Sequence, residues 1–316
     1  GTISVIEDLR PRWQVLPRPN EIALNTDESV AILQAPIAQG RLTLSTGTPV
    51  PSSDVTAADT LYYTPYNGNA ISLWNDAASR WDLYQFTELS LDISGLAANT
   101  NFDIFIYDNA GTLTLESVAW SNSGAGTSSR ASAISQRNGV WVKTSDDRRY
   151  LGTIRTTGTA GQCEFTKNTL YVFNAQNRVT RRLYKNNGQG SNYTYGSATW
   201  RPTNNSTANR FSLIIGLPTF VRATSIQNTG VGGSNEGMTG IALNSNTPDF
   251  VNRNLGFDGL TYTQSDFRGV IAILSEELDA GYHYLQQVEN SDGGTSTFSP
   301  YSADTFASGM EGEILI

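Results

Sequence analysis

The chain has little of what most enzymes rely on. Among 316 residues it has one cysteine, Cys163, one histidine, His283, and two methionines. A single thiol excludes an intramolecular disulfide and any zinc site built on several thiolates, so stability has to come from packing or from assembly. A single imidazole places every mechanism that needs a histidine base on His283. Charged residues make up only 16% of the chain and their balance is acidic, with 29 carboxylates against 21 Lys plus Arg and a net charge of -8. Such a surface has no diffuse attraction for phosphate backbones, which makes nucleic acid a poor partner. Long apolar runs are missing too. Those at 213–215 and 270–274 stop far short of the ~20 residues needed to cross a bilayer, so no membrane insertion is expected. The first residues do not resemble a signal peptide.

What is present is Ser, Thr, Asn and Gly around a 38% hydrophobic complement, a mixture that suits strands and tight turns. The expected class is all-β: an N-terminal extended arm, 1–39, then two β-sandwich or jelly-roll-like modules, 40–190 and 191–316. The arm holds Pro11, Pro17, Pro19 and Pro36 among isolated apolar residues, and proline prevents both a long helix and a central strand. Ile6, Leu9, Trp13, Val15 and Leu16 cannot be buried against one another in such a segment. Either the body of the same chain or a neighbouring surface must cover them.

From about Arg41 onward, short strand-like runs alternate with turn dipeptides at sandwich spacing. Asn67-Gly68, between 61–63 and 71–74, reads as a hairpin because Asn and Gly tolerate positive φ. Residues 76–79 then return the chain into 81–86, for a meander of three strands. Residues 89–93 and 102–107 flank a small-residue loop, an arrangement that resembles the corner of a fibronectin-type or immunoglobulin-like sandwich with Phe102 in the place of the usual Tyr. Asp108 to Gly111 is a further hairpin turn. Residues 127–137 are the best helix candidate, stopped by Asn138-Gly139 before a strand at 140–143. The Asn-rich, basic stretch 171–201 marks the junction between modules. Beyond it, strands are expected at 210–217, 238–243, 270–274, 282–289 and 311–316, with 292–294 a turn and the last strand inside its sheet. No repeat of 20 to 50 residues is visible, which argues against a solenoid.

Candidates for chemistry each have a plainer reading beside them. If Tyr282 and Tyr284 face the core, His283 points the other way and is structural or superficial. Cys163 matches no nucleophile motif, and Gly230 to Gly233 lacks the Lys and Ser/Thr of a phosphate loop. Glycoside hydrolysis needs two carboxylates at a fixed separation. The available sets are Asp146-Asp147, Glu276-Glu277, and Glu289 with Asp292, but adjacent carboxylates on a strand point to opposite faces. Calcium would want oxygens from loops such as 244–249 or 290–292, which read equally as turns. Trp74 and Trp81 either present a sugar platform or close a hairpin as a cross-strand pair. Arg178, Arg181 and Arg182, with Lys185 nearby, either meet an acidic neighbour or form a solvated face. No catalytic set, metal site or cofactor motif emerges.

Several segments carry a family likeness: 41–47 (RLTLSTG), 60–69 (TLYYTPYNGN), 107–113 (YDNAGTL) and 148–155 (RRYLGTIR). Residues 199–202 (TWRP), 204–207 (NNST) and 308–314 (SGMEGEI) extend it. Together these resemble a group of β-rich virion proteins of tailed phages. The resemblance implies a non-enzymatic protein of the particle exterior: a capsid decoration (cement) protein, a head fibre, or a tail fibre or baseplate component. It also implies a homotrimer docked through its N-terminal segment on the major capsid protein. The alternative is a receptor-binding fibre that recognises host surface glycan.

Overall fold

Apolar and polar residues alternate here over short stretches broken by Gly, Asn and Asp. That pattern leaves the backbone one general way to satisfy its hydrogen bonds, the pairing of many short strands. The computed structural model describes residues 36–187, 190–231, 236–248, 256–257, 259–261, 267–299, 301–302 and 306–316. The fold is all-β, with sandwich-like modules, and a single 3-10 turn at Thr203–Asn205 is the helical element among the described residues. The arm residues Ile6, Leu9, Trp13, Val15 and Leu16 lie outside the described residues.

Four sheets and a hairpin set the framework. The first sheet orders Gly40–Thr43, Thr60–Pro65 and Leu89–Asp92. Ala70–Asn75 and Arg80–Gln85 form a separate hairpin in which Trp74 faces Trp81. A six-stranded sheet runs Thr112–Ala119, Asn101–Asn109, Arg149–Arg155, Val140–Lys143, Ile134–Arg137, with Val172–Asn174 also paired to Arg149–Arg155. An eight-stranded sheet is centred on Arg210–Ile215, Gly281–Ser291 and Glu236–Leu243, and takes Val55–Ala58 and Cys163–Phe165 at one end. A seven-stranded sheet runs Thr180–Asn186, Gly309–Leu315, Thr219–Val231, Phe267–Leu278, Gly256–Phe257. The last two face each other: Val221, Ala223, Leu274, Met310 and Ile314 of one and Ile241 and Leu285 of the other are all buried. Each such Leu, Ile or Val contributes roughly 1.5–3 kcal/mol by leaving water.

The strands expected in the second half are present, and Gly309–Leu315 sits inside its sheet between Thr180–Asn186 and Thr219–Val231. The turn at Asp108 to Gly111 behaves as read, and Asn138-Gly139, expected to stop a helix, closes a hairpin instead. Ala110-Gly111 and Asn138-Gly139 each close a two-residue hairpin with both residues at positive φ, the geometry that matches strand twist.

Four expectations differ from the structure. Asn67-Gly68 does not close a hairpin. Both edges of Thr60–Pro65 are occupied by Gly40–Thr43 and Leu89–Asp92, so the chain turns a corner there, with the Tyr66 and Asn67 amides donating to the Gln39 carbonyl at 2.9 and 3.0 Å. Residues 127–137 are not helical. Asn122 Nδ2 donates to the Thr127 carbonyl, Ser128 Oγ to that of Gly124, and Ser129 pairs with Asn122. These side-chain bonds satisfy the backbone in place of a helix, and the segment ends as the strand Ile134–Arg137. The junction drawn at 190/191 does not separate two modules. Val55–Ala58 and Cys163–Phe165 lie in the same sheet as Gly281–Ser291, and Pro36–Ile316 form one compact unit. Residues 36–39, assigned to the arm, belong to that unit: the Ile37 carbonyl accepts from the Ser72 amide at 2.8 Å.

Register breaks once inside the six-stranded sheet, between Tyr150 and Gly152. A Cβ at Gly152 would lie 2.0 Å from the Phe173 carbonyl oxygen, whereas Gly158 has nothing within 4 Å. Gly152→Ala should therefore cost at least about 2 kcal/mol in urea unfolding, while Gly158→Ala stays within about 0.5 kcal/mol.

Candidate functional site

The groups with the greatest chemical potential are turned inward. Arg149 is 1% exposed. Its Nη1 donates to the carbonyls of Ile37 and Ser72, each at 2.6 Å, and its Nη2 to Gln176 Oε1 at 2.9 Å. No carboxylate among the described residues faces it, and burial lowers its pKa to about 10. Arg41, also lowered to about 10 by burial, donates to the carbonyls of Pro49, Asn177 and Ile316. Arg155 reaches Asn101 Oδ1 at 2.6 Å and lies 3.7 Å from the centre of the Tyr282 ring. Arg130 binds Asp103 at 2.7 Å and the Gly216 carbonyl at 2.6 Å, while Thr153 donates to the other Asp103 oxygen at 2.7 Å. Each guanidinium joins segments from different sheets.

A second polar network fills the interface between the two large sheets. Glu289 is fully buried on Gly281–Ser291. Arg201 binds its Oε1 at 2.8 Å, and Tyr193 Oη and Gln227 Nε2 both donate to its Oε2. Burial, and then the charge of Glu289, hold the Tyr193 phenol far above its usual range. Alongside, Gln287 Nε2 donates to Ser225 Oγ at 2.8 Å, which contacts Thr239 Oγ1 at 2.8 Å. The sequence reading missed the role of these arginines, and it named Glu289 only as half of a carboxylate set with Asp292. The only local signal is one apolar neighbour each, Tyr150 beside Arg149 and Val288 beside Glu289, within strand-like runs.

His283 lines a cleft of about 300 Å³ together with Glu276, Glu277, Asp279 and Asn244. Both faces of its strand are covered, since His283 is 7% and Tyr282 8% exposed. The Tyr284 amide donates to Asn244 Oδ1, which leaves Asn244 Nδ2 to donate to His283 Nδ1 at 3.0 Å. The proton therefore sits on Nε2, which donates to the Asp279 carbonyl at 2.9 Å. Both ring nitrogens are engaged.

The other candidates disperse. Asp147 is paired with Arg137 at 2.6 Å, and Asp146 with Lys143 and Arg148 at 3.0 and 3.3 Å. Asp292 accepts from the Gly294 amide in its turn, apart from the buried Glu289. No group of three or more His, Cys, Asp or Glu side chains gathers to hold a metal among the described residues. Asp249, Gly232 and Gly233 lie outside them. Trp74 and Trp81 form an edge-on cross-strand pair with centroids 5.6 Å apart, and Arg137 occupies one face of Trp74 at 4.5 Å. Cys163 is fully buried, its thiol pushed up to about 12 by burial.

The basic cluster is split by the structure. Arg178 folds over Phe173 at 4.6 Å, and Arg181 over Phe165 at 5.0 Å while binding the Pro51 carbonyl. Only Arg182 stays on the outer surface, paired with Glu311 at 3.2 Å.

No family model and no curated protein matches the chain. Among solved structures, the insecticidal delta-endotoxin Cry8Ea1 of Bacillus thuringiensis is matched at 9% identity over 88% of this chain and 52% of that one, with a TM-score of 0.23. A tryptic core variant of Cry1Da from the same organism is matched at 8% identity, over 89% and 53%, with a TM-score of 0.19. The chain spans about half the length of these toxins. Scores of this size carry no argument.

Two measurements check these networks. Glu289→Gln leaves Arg201 without its anion, and should cost about 3–5 kcal/mol in urea unfolding. A loss below about 1 kcal/mol would show that Tyr193 and Gln227 hold the site without the charge. Cys163 should ignore a thiol-reactive disulfide reagent in the native state at neutral pH and react completely in denaturant.

Proposed function

We propose that the chain is a structural protein of a tailed-phage particle: a homotrimeric decoration protein on the capsid exterior that works by binding and not by catalysis. Its partners are the major capsid protein, engaged through the N-terminal segment, and further copies of itself. The observation that carries this reading is where the polar chemistry goes. Arg41, Arg130, Arg149 and Arg155 each reach partners in separate parts of the fold, so the charges serve to stiffen a β body. The likeness to phage virion proteins falls on the same strands, with Arg41, Arg149 and Arg155 inside the segments that carry it.

A decoration protein stabilises a shell because it binds assembled subunits and not dissociated ones, which shifts assembly by mass action. Several docking segments on one oligomer raise the effective concentration at the second and third contacts. The test removes residues 1–35, since Ile37 and Gln39 are hydrogen-bonded within the body. The shortened chain should keep its unfolding midpoint and lose binding to particles by about two orders of magnitude or more. Undiminished binding would rule out docking through this segment. Cryo-electron microscopy of decorated particles gives the location: density over the capsid lattice supports decoration, and density at the tail alone moves the function to recognition of host surface glycan.

A further inference from the structure

The outer face of the seven-stranded sheet is unlike the rest of the surface. Seven large hydrophobic side chains are well exposed in the described residues, and five of them stand on this face: Phe220 at 58%, Leu315 at 46%, Ile271 at 44%, Ile273 at 41% and Tyr184 at 40%. Strand alternation puts them together. On Thr219–Val231 the odd-numbered Val221 and Ala223 are buried while Phe220 and Arg222 point out. The register brings Phe220 opposite Glu277 and Arg222 opposite Ser275 and Glu313.

Charges of both signs are interleaved with the apolar groups. Among the described residues, Arg182–Glu311 is the ion pair formed on this face, whereas the exposed Arg222, Glu277 and Glu313 form none although Arg222 and Glu313 are paired in register. A surface that carries unpaired Arg and Glu between apolar side chains is complementary to itself. Its relief is too. Gly309 lacks a side chain between Tyr184 and Ile226, leaving a notch of about 180 Å³ floored by Met310. Phe220, the most exposed of the apolar groups, lies six residues along the strand from Ile226, roughly 20 Å away at ~3.3 Å per residue. The paired lengths of the four main strands cover on the order of 600 Å² in projection at ~4.8 Å per strand. That approaches the roughly 800 Å² which each partner contributes to a specific interface.

We infer that this face is where a second copy of the chain packs, with Phe220 of one copy entering the notch over Gly309 of another. The inference goes beyond the assembly reading above, since a face packed on its own copy is a two-fold contact, separate from the three-fold contact of a homotrimer. Sedimentation velocity of the full chain over a concentration series up to about 100 µM tests it. The native chain should self-associate. Phe220→Asp and Ile273→Asp should each weaken association by about a hundredfold or more, and Arg222→Glu should weaken it in a salt-dependent way. Leu83→Asp, at an exposed site on another strand pair, should leave association unchanged, and equal urea midpoints show that all variants are folded. A chain monomeric throughout, association indifferent to Phe220→Asp and Ile273→Asp, or equal weakening by Leu83→Asp would overturn the inference. So would association that appears only after residues 1–35 are removed, because the face would then be covered by the chain's own segment. Particle binding measured on the same samples separates the two readings: association without particle binding keeps this face and discards the virion role, and the reverse keeps the virion role alone.

Discussion

Buried guanidinium groups bound to backbone carbonyls are the interaction on which the rest of the structure depends. Many of the strands are short, and several sheets end where another begins, so pairing within sheets does not by itself fix their arrangement. Arg149 joins the turn before the first sheet to the Trp74–Trp81 hairpin, and Arg130 joins the six-stranded sheet to the end of Arg210–Ile215. Taking a charge out of water costs several kcal/mol, so such a group persists only when its donors are satisfied in good geometry. Arg149 meets most of that demand through its two terminal nitrogens, with two carbonyls and a Gln amide oxygen, while its buried Nε has no partner among the described residues. The planar fork is essential, since an ammonium on a flexible stem could not hold three partners in fixed directions.

The same logic governs the interior of the large sandwich in a different form. There the facing sheets meet through Ser225, Gln227, Thr239, Gln287 and Glu289 as well as through aliphatic side chains. A one-residue slip of either strand would move these groups to the wrong face and strand Glu289 among hydrocarbons. Polar contacts in this position select a register that aliphatic packing alone would specify less sharply.

Local features were legible in the sequence and non-local ones were not. Ala110-Gly111 was readable because its φ demands are met within the turn itself, and Asn138-Gly139 was placed as a break in the chain but not as the hairpin it forms. The interior position of Gly309–Leu315 was expected from what is typical of a last strand in a sandwich module, and its register holds it there. Asn67-Gly68 misled because its flanking strands are claimed by partners distant in sequence, and 127–137 misled because Ser and Asn side chains replaced the helix bonds that composition suggested. The basic cluster looked like a unit by proximity, yet Arg178 and Arg181 lie over aromatic rings of the core and Arg182 lies outside. Contiguity in sequence carries no information about which face of a strand a charge occupies in a fold not yet known.

The place of Gly309–Leu315 between Thr180–Asn186 and Thr219–Val231 bears on the order in which the chain emerges from the ribosome. Both neighbours are made well before the strand that joins them, and Thr180–Asn186 pairs with no other strand of the sheet. Until the later strand arrives, two open edges stand exposed, each able to capture a stray strand. Closure of this sheet is thus a late, long-range event, and the nascent chain passes through a period in which Val221 and Leu183 await the strand that carries Met310 and Ile314.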